Sequence, residues 1–92
     1  MKITEGDIKS QIKDYLAIKH IFNYPLLQGI GSFKGIPDRI MHLNGKVVYL
    51  EIKKPKGKLS PGQVEFKAQC ERDNVPYFVV TSLEEVQEIL EG

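Results

Sequence analysis

The order of apolar and polar positions along the chain first predicts an amphipathic helix. Ile8, Ile12 and Leu16 recur at the spacing that places side chains on one helix face. Thr4 precedes them as a candidate N-cap, with acidic residues in the turn that follows. We expect this helix to end near Lys19.

Strand patterns follow in the middle of the chain. Residues 21–28 are rich in β-forming side chains, but Pro25 restricts them to an edge strand or an irregular one. After a glycine-rich loop, two further apolar runs, 37–43 and 46–53, flank an Asn-Gly pair. That pair is a strong signal for a two-residue hairpin turn, so these runs predict an antiparallel hairpin.

The last third of the chain predicts a helix, a strand and a final short helix. Ser60 begins a capping box for a helix that runs to about Arg72. Residues 76–81 are predicted to form a buried strand, and Ser82 begins a second capping box for a helix to about Leu90. The order α-β-β-β-α-β-α predicts an α/β protein of α+β type, with a mixed sheet and helices packed on it.

Length and composition favour a single domain. The 92 residues, of which 41% are hydrophobic, can form a small core, and a domain of this size often gains stability by pairing with a second copy. No apolar run approaches the length of a membrane span, and the N-terminal residues lack the apolar centre of a signal peptide. The lone Cys70 excludes an internal disulfide and a zinc site made of cysteines. We expect a reducing, intracellular location and no membrane partner.

Charge is distributed unevenly, although the net charge is only +1. Seven basic and two acidic residues in 34–58 give +5, whereas two basic and seven acidic residues in 59–92 give −5. The predicted hairpin and the turn after it therefore carry the positive surface. This surface is either a solvated lysine-rich loop or a contact for nucleic acid. The candidate phosphate contacts are Lys34, Lys54, Lys56 and Lys58.

The hairpin register brings two acids together. A two-residue turn pairs Leu43 with Lys46, and counting back from that pair places Asp38 opposite Glu51. Like charges that face each other across a strand pair destabilise it, so a compensating group is expected. Lys53 lies two residues after Glu51 and therefore on the same face of the sheet.

Two carboxylates at that separation can share a divalent cation such as Mg²⁺, to which the backbone carbonyl of Ile52 can add an oxygen ligand. Lys53 would then activate a water molecule or neutralise charge that develops on a phosphate. This combination is suited to phosphodiester hydrolysis. In the alternative interpretation, Asp38 is a polar residue at the edge of a turn, and Glu51 pairs with Lys53 or Lys54 at the surface.

The segments IPD, at 36–38, and LEIKKPKGKLSPGQ, at 50–63, resemble the core of the PD-(D/E)XK nuclease superfamily, and within it the VRR-NUC family. The resemblance extends from Glu5 to about Ser82. It implies a restriction-endonuclease-like αβββαβ core and cleavage of DNA that depends on Mg²⁺ or Mn²⁺. Family members without other domains resemble Holliday-junction resolvases and are expected to be homodimers.

The resemblance also implies roles for two further residues. It places an acid of the first helix at the metal, a role that Glu5 would fill, and Glu5 is in line with the apolar face of that helix. In the alternative interpretation, Glu5 only complements the helix dipole. The family places a glutamine near the active site, which Gln63 matches, although a capping box already explains a glutamine there.

The sequence thus predicts a structure-specific, metal-dependent DNA endonuclease, acting on four-way junctions as a homodimer. The predicted metal ligands are Glu5, Asp38, Glu51 and the carbonyl of Ile52, with Lys53 and Gln63 as further catalytic residues. The alternatives are a nicking or flap nuclease acting as a monomer or within a replication-repair complex, a DNA-binding module that does not cleave, and an α/β interaction domain. We assign no function to His20 or His42, and Cys70 is expected to be a small buried residue.

Overall fold

The computed structural model describes residues 2–92 and contains three helices and four strands, in the predicted order. Among these residues no helix has both the length and the apolar character needed to cross a membrane. The bounds of the elements are α1 Glu5–Ile18, β1 Asn23–Pro25, β2 Arg39–Leu43, β3 Lys46–Ile52, α2 Pro61–Asp73, β4 Tyr77–Val80 and α3 Leu83–Glu91.

The four strands form one mixed sheet in the order β1-β2-β3-β4. The first three strands are antiparallel, and β4 joins β3 in parallel after the crossover through α2. Leu43 pairs with Lys46 as predicted, and the register extends to Arg39 opposite Leu50. Asn44 and Gly45 both have positive φ, at 52° and 78°, as a type I′ hairpin turn requires. The turn therefore fixes the register on which the site depends.

The helices cover the two faces of this sheet. Because successive strand residues point to opposite faces, Val48, Leu50 and Ile52 of β3 share one face and pack against α1 and α3 in the main hydrophobic core. The odd position Tyr49 instead makes an edge-on contact with Phe66 of α2, at 5.1 Å between ring centroids. The core consists of Ile8, Ile12, Leu16, Met41, Val48, Leu50, Ile52, Val80 and Val86.

Two details of the sequence prediction were wrong. The strand β4 was expected to be buried, yet only Val80 is, and Phe78 remains 39% exposed. The reason is its place at the edge of the sheet, which a pattern of consecutive apolar residues does not reveal. At α3, Ser82 accepts the hydrogen bond from Glu85 N, but the Glu85 carboxylate accepts from the amide and hydroxyl of Thr81 rather than closing a capping box.

Candidate active site

Two acidic residues meet where the hairpin of β2 and β3 ends beside α1. Asp38 directly precedes β2, and continuation of the observed register places it opposite Glu51. The Asp38 Oδ2 atom accepts a hydrogen bond of 2.6 Å from the amide of Ile52, which orients the carboxylate along the end of β3. Asp38 remains partly exposed, whereas Glu51 is 1% exposed.

Among residues 2–92, Glu51 is the only charged residue that is buried, and its carboxylate lacks one hydrogen-bond partner. Its Oε2 atom accepts a hydrogen bond of 3.3 Å from Gln63, but its Oε1 atom is buried without a partner. Burial, followed by the adjacent carboxylate of Asp38, raises the pKa of Glu51 to about 8, although the ammonium groups of Lys53 and Lys9 oppose this shift. A buried carboxylate oxygen without a hydrogen-bond partner is suited to act as a ligand for a cation.

Gln63 caps α2, as the capping-box interpretation predicts, and also contacts Glu51. Its side-chain Oε1 atom accepts a hydrogen bond of 2.8 Å from the backbone amide of Ser60. The backbone amide of Gln63 donates to the Ser60 hydroxyl, which completes the capping box of α2. Its Nε2 group is thereby turned toward Glu51. The cap of the helix and the contact with the acid are therefore parts of one arrangement.

The start of α1 contributes Glu5 together with a residue that the sequence analysis did not identify. The Lys9 ammonium lies 3.3 Å from Glu5 Oε2 and 3.1 Å from Asp38 Oδ1. Burial alone would lower the pKa of Lys9, but these two carboxylates outweigh it and the net shift is upward. Glu5 and Lys9 are separated by four positions, so their pairing was visible in the sequence, whereas the contact with Asp38 depends on the tertiary structure.

These residues fit a divalent cation in part. Asp38 and Glu51 supply two neighbouring carboxylates, one with an unsatisfied buried oxygen, which are the hard ligands that Mg²⁺ and Mn²⁺ accept. Within residues 2–92, no set of three or more Asp, Glu, His or Cys side chains is already assembled for a metal ion. Glu5 is the third predicted acid, and its carboxylate faces Lys9 instead.

Four of the five predicted lysines lie on the segment that follows β3, and Lys34 lies in the loop before β2. Lys53 follows β3, and its ammonium is close enough to Glu51 to lower the pKa of that acid. Lys54 lines a cavity beside Glu5 and begins a tight turn closed by the bond from Gly57 N to Lys54 O. Lys56, in the same turn, adopts a positive φ of 66°. Lys34, Lys54, Lys56 and Lys58 are all exposed.

A close backbone contact holds Lys34 near the site. A Cβ atom added at Gly62 would lie 2.3 Å from the carbonyl oxygen of Lys34, and one added at Gly35 would overlap the backbone of Gly62. Gly35 also has a φ of 112°, which only glycine adopts easily. The loop before Asp38 is thus packed against the start of the helix that carries Gln63.

The three residues to which the sequence analysis gave no catalytic role lie outside the site. The ring of exposed His42 packs edge-on against Phe22, with centroids 4.9 Å apart. His20 is exposed at the end of α1, and Cys70 is buried as predicted. The hydroxyl of Tyr77, also unassigned by the sequence analysis, is buried without a partner on the α2 side of the sheet.

No family model matches the chain, and no curated protein matches it in sequence. A solved structure described as a VRR_NUC domain is similar over 97% of both chains, with a TM-score of 0.79 and 23% sequence identity. The similarity includes all the elements that carry the site residues. It agrees with the family resemblance of the hairpin and of the lysine-rich turn. The chain therefore has the fold of a VRR_NUC domain.

Proposed function

We propose that the chain is a nuclease that hydrolyses phosphodiester bonds of DNA and depends on Mg²⁺ or Mn²⁺. The main support is the carboxylate pair of partly exposed Asp38 and buried Glu51, which has an unsatisfied oxygen and a neighbouring Lys53. The VRR_NUC fold adds the expectation of nuclease activity. The exposed lysines around the pair provide a surface for the phosphate backbone.

The chain's own residues have separate roles in this proposal. A divalent cation, when bound, would supply Lewis-acid polarisation of the scissile phosphate and a more acidic water. Asp38 and Glu51 would hold it, with the Ile52 carbonyl as a further ligand, and the amide of Gln63 orients Glu51. Lys53 would accept the proton of the attacking water or donate to the phosphate oxygen. Glu5 would join the ligands after it separates from Lys9.

We further propose that the substrate is branched DNA, with the four-way junction as the first candidate, and that the active form is a homodimer. An exposed aromatic and aliphatic patch supports self-association. It contains Phe22, which is 63% exposed, together with Tyr24, His42 and Val47. Two sites related by dimer symmetry would make paired cuts, so that specificity would come from the shape of the DNA.

The first test is cleavage of a labelled four-way junction and of a linear duplex with the same arm sequence. Wild type is compared with Glu51→Ala and with Glu88→Ala, which removes an exposed acid of α3 as a control. We expect cleavage by wild type and the control in Mg²⁺ or Mn²⁺, and a loss of about a hundredfold or more in Glu51→Ala. Equal cleavage by wild type and Glu51→Ala would exclude this site as the active site.

A DNA-binding module that does not cleave is the second candidate. It is favoured by the position of Lys9, whose ammonium contacts two of the three predicted acidic ligands. This candidate predicts junction binding by wild type and Glu51→Ala alike, with no cleavage by either protein in any metal. A flap or nicking nuclease instead predicts single cuts that require Glu51, either by the monomer or only with a partner of a replication-repair complex.

A further inference from the structure

The loop between β1 and β2 carries apolar side chains that the proposed reaction does not use. Ile30 at its tip is fully exposed, Leu27 is 81% exposed and Phe33 is 48% exposed. Loops on protein surfaces are normally polar, and a contiguous exposed apolar group marks an interaction site. We refer to residues 26–34 as the apolar loop.

The apolar loop is held in one conformation by side-chain hydrogen bonds. The Nε2 group of Gln28 donates to the Ser32 hydroxyl at 2.7 Å and to the Phe33 carbonyl at 2.9 Å. The Ser32 hydroxyl in turn donates to the Gly29 carbonyl and accepts from the Gly29 amide. The loop therefore loses little additional conformational entropy when its tip contacts a partner.

A tight turn at the end of this network projects Ile30 outward. The Ser32 amide donates to the Gly29 carbonyl at 3.2 Å, and Gly31 has a φ of 88°, as the third residue of a type II turn requires. Ile30 occupies the second position, where its side chain points away from the turn and contacts solvent. At the base of the loop, the Phe33 ring packs edge-on against Phe66 of α2, with centroids 6.0 Å apart.

The same loop forms a wall of the candidate active site. A cleft of about 190 Å³ at Asp38 is lined by Leu26 and Leu27 of the apolar loop together with Lys9, Pro25, Asp38, Arg39 and Ile52. A nucleic acid that presents a phosphate to Asp38 through this cleft therefore passes next to Leu26 and Leu27. Exposed Lys34, which follows Phe33, supplies a positive charge at the other end of the loop.

We propose that Leu27 and Ile30 contact the faces of unstacked bases and so select branched DNA over continuous duplex; this inference rests on the proposed nuclease function. Aliphatic side chains gain nothing from contact with phosphates, so Leu27 and Ile30, unlike Lys34 at the end of the loop, are not suited to the backbone. In a continuous duplex the base faces are covered by stacking. At a branch or flap they are accessible, and apolar side chains inserted there gain buried area.

The test measures binding in Ca²⁺ under conditions in which cleavage is verified to be absent. The DNA probes are a four-way junction with 2-aminopurine, a fluorescent base sensitive to stacking, at the branch point, and a linear duplex with the same label. Wild type is compared with Leu27→Ser and Ile30→Ser. The control is Ile18→Ser, at a position 72% exposed and about 20 Å along α1 from Glu5.

We expect Ile30→Ser to weaken junction binding about tenfold and to lose the change in 2-aminopurine emission, because the base face loses its apolar contact. Linear duplex affinity should stay within about twofold, and Ile18→Ser should behave as wild type. Leu27→Ser should act in the same direction. Gln28→Ala, which keeps both apolar side chains but removes the hydrogen bonds that brace them, should give an intermediate loss.

Three results would overturn this inference. The first is unchanged junction affinity in Leu27→Ser and Ile30→Ser. The second is an equal loss on junction and duplex, which would make the loop a contact for the backbone. The third is a change from dimer to monomer in sedimentation of Ile30→Ser without DNA, which would place the loop between two copies of the chain.

The proposed nuclease function fails separately from this inference. If wild type cuts neither DNA in Mg²⁺ or Mn²⁺, but Ile30→Ser loses junction affinity selectively, the chain is a junction-binding module and the inference about the loop stands. If wild type cuts and depends on Glu51, while Ile30→Ser binds normally, the nuclease function stands and the loop does not select the substrate.

Discussion

At the scale of single residues, the central feature is a carboxylate that is costly to ionise. Glu51 is buried beside Asp38 with one unpaired oxygen, so its charged form lacks the solvation and hydrogen bonds that it has in water. A protein that keeps such a group loses stability at neutral pH unless a cation is bound, because the unfolded chain ionises the carboxyl freely and the native state does not. This cost is consistent with a site shaped by function rather than by folding.

The first prediction concerns pH and stability without metal. The native state keeps the Glu51 proton until about pH 8, whereas the unfolded chain releases it near 4.5. Between these values the native state binds more protons, so the free energy of unfolding should fall as pH rises. Glu51→Gln should abolish this slope and be more stable than wild type at pH 8 by roughly 2 to 4 kcal/mol. Urea unfolding in a chelator from pH 5 to 8.5 measures both quantities.

The difference between wild type and Glu51→Gln isolates Glu51 together with its charged neighbours such as Asp38, since the titration of the remaining residues is common to both proteins. The acids with lowered pKa values, such as Glu85 and Asp7, contribute to the pH dependence below about pH 4.5 and leave this window unaffected. The same slope in both proteins would show that Glu51 is ionised in the metal-free native state.

The second prediction concerns Lys9, whose ammonium occupies the position between Glu5 and Asp38. Lys9→Gln removes a positive charge about 3 Å from two candidate ligands, so Mn²⁺ should bind about tenfold more tightly. The loss of stability should be below about 1 kcal/mol, because both ion pairs are partly exposed. Titration of Mn²⁺ followed by electron paramagnetic resonance measures affinity independently of cleavage.

The matched control is Lys13→Gln, one helical turn further along α1, where the side chain is exposed and makes no ion pair with residues 2–92. Its Mn²⁺ affinity should equal that of wild type. Unchanged affinity in Lys9→Gln as well would mean that the Lys9 ammonium does not compete with the metal at Glu5 or at Asp38.

At the scale of secondary structure elements, local signals were sufficient for most of the fold. The Asn-Gly turn fixed the hairpin register, and Thr4 and Ser60 marked the starts of α1 and α2 correctly. Asn74 ends α2 in the left-handed conformation, with a φ of 58°. Each of these features depends on residues at most a few positions apart, and such features are therefore readable from the sequence.

Features that depend on tertiary contacts were not readable in this way. The exposure of Phe78 follows from the place of β4 at the sheet edge. The contact of Lys9 with Asp38 follows from the position of α1 beside the start of β2. The unsatisfied oxygen of Glu51 depends on where α2 places Gln63. The sequence could pair Asp38 with Glu51, but it could not show which polar groups would leave that pair incomplete.

The third prediction uses two glycines that occupy the second position of a helix. Gly62→Ala should destabilise the protein by about 2 kcal/mol or more, since the new Cβ would lie 2.3 Å from the Lys34 carbonyl oxygen. It should also impair the site, because the loop before Asp38 must move. Gly6→Ala should be neutral or stabilising by up to about 1 kcal/mol, since its nearest neighbour, Thr4 Oγ1, is at an ordinary 3.7 Å.

Thermal unfolding of the two variants is the measurement, and for a domain of this size each kcal/mol corresponds to roughly 4 to 8 °C in Tm. Equal increases in Tm in both variants would show that helix propensity dominates and that the close approach of the loop to α2 imposes no penalty on Gly62→Ala.

At the scale of the whole molecule, the positions of the active site and of the exposed aromatic patch are distinct. The acids lie where β2 begins and β3 ends, whereas Val47 lies near the turn at the opposite end of the same hairpin. The patch continues onto the edge strand, where the Phe22 and Tyr24 rings are 5.7 Å apart. We therefore expect a dimer formed through the Phe22 and Val47 end of this patch to keep both active sites accessible to DNA.

The last prediction is that Phe22→Asp converts a dimer into a monomer that retains its fold. Placing a carboxylate in an apolar contact between two copies is costly because it would be buried without a partner. Sedimentation should show the change in mass, while circular dichroism and Mn²⁺ affinity stay as in wild type. On a four-way junction the variant should release single-nick products, because the second active site is no longer delivered with the first.

Val64→Asp, at an exposed apolar position of α2 outside the patch, should remain dimeric and make paired cuts. A monomeric Val64→Asp beside a dimeric Phe22→Asp would place the interface on α2, and a monomeric wild type that makes paired cuts would remove the need for a dimer.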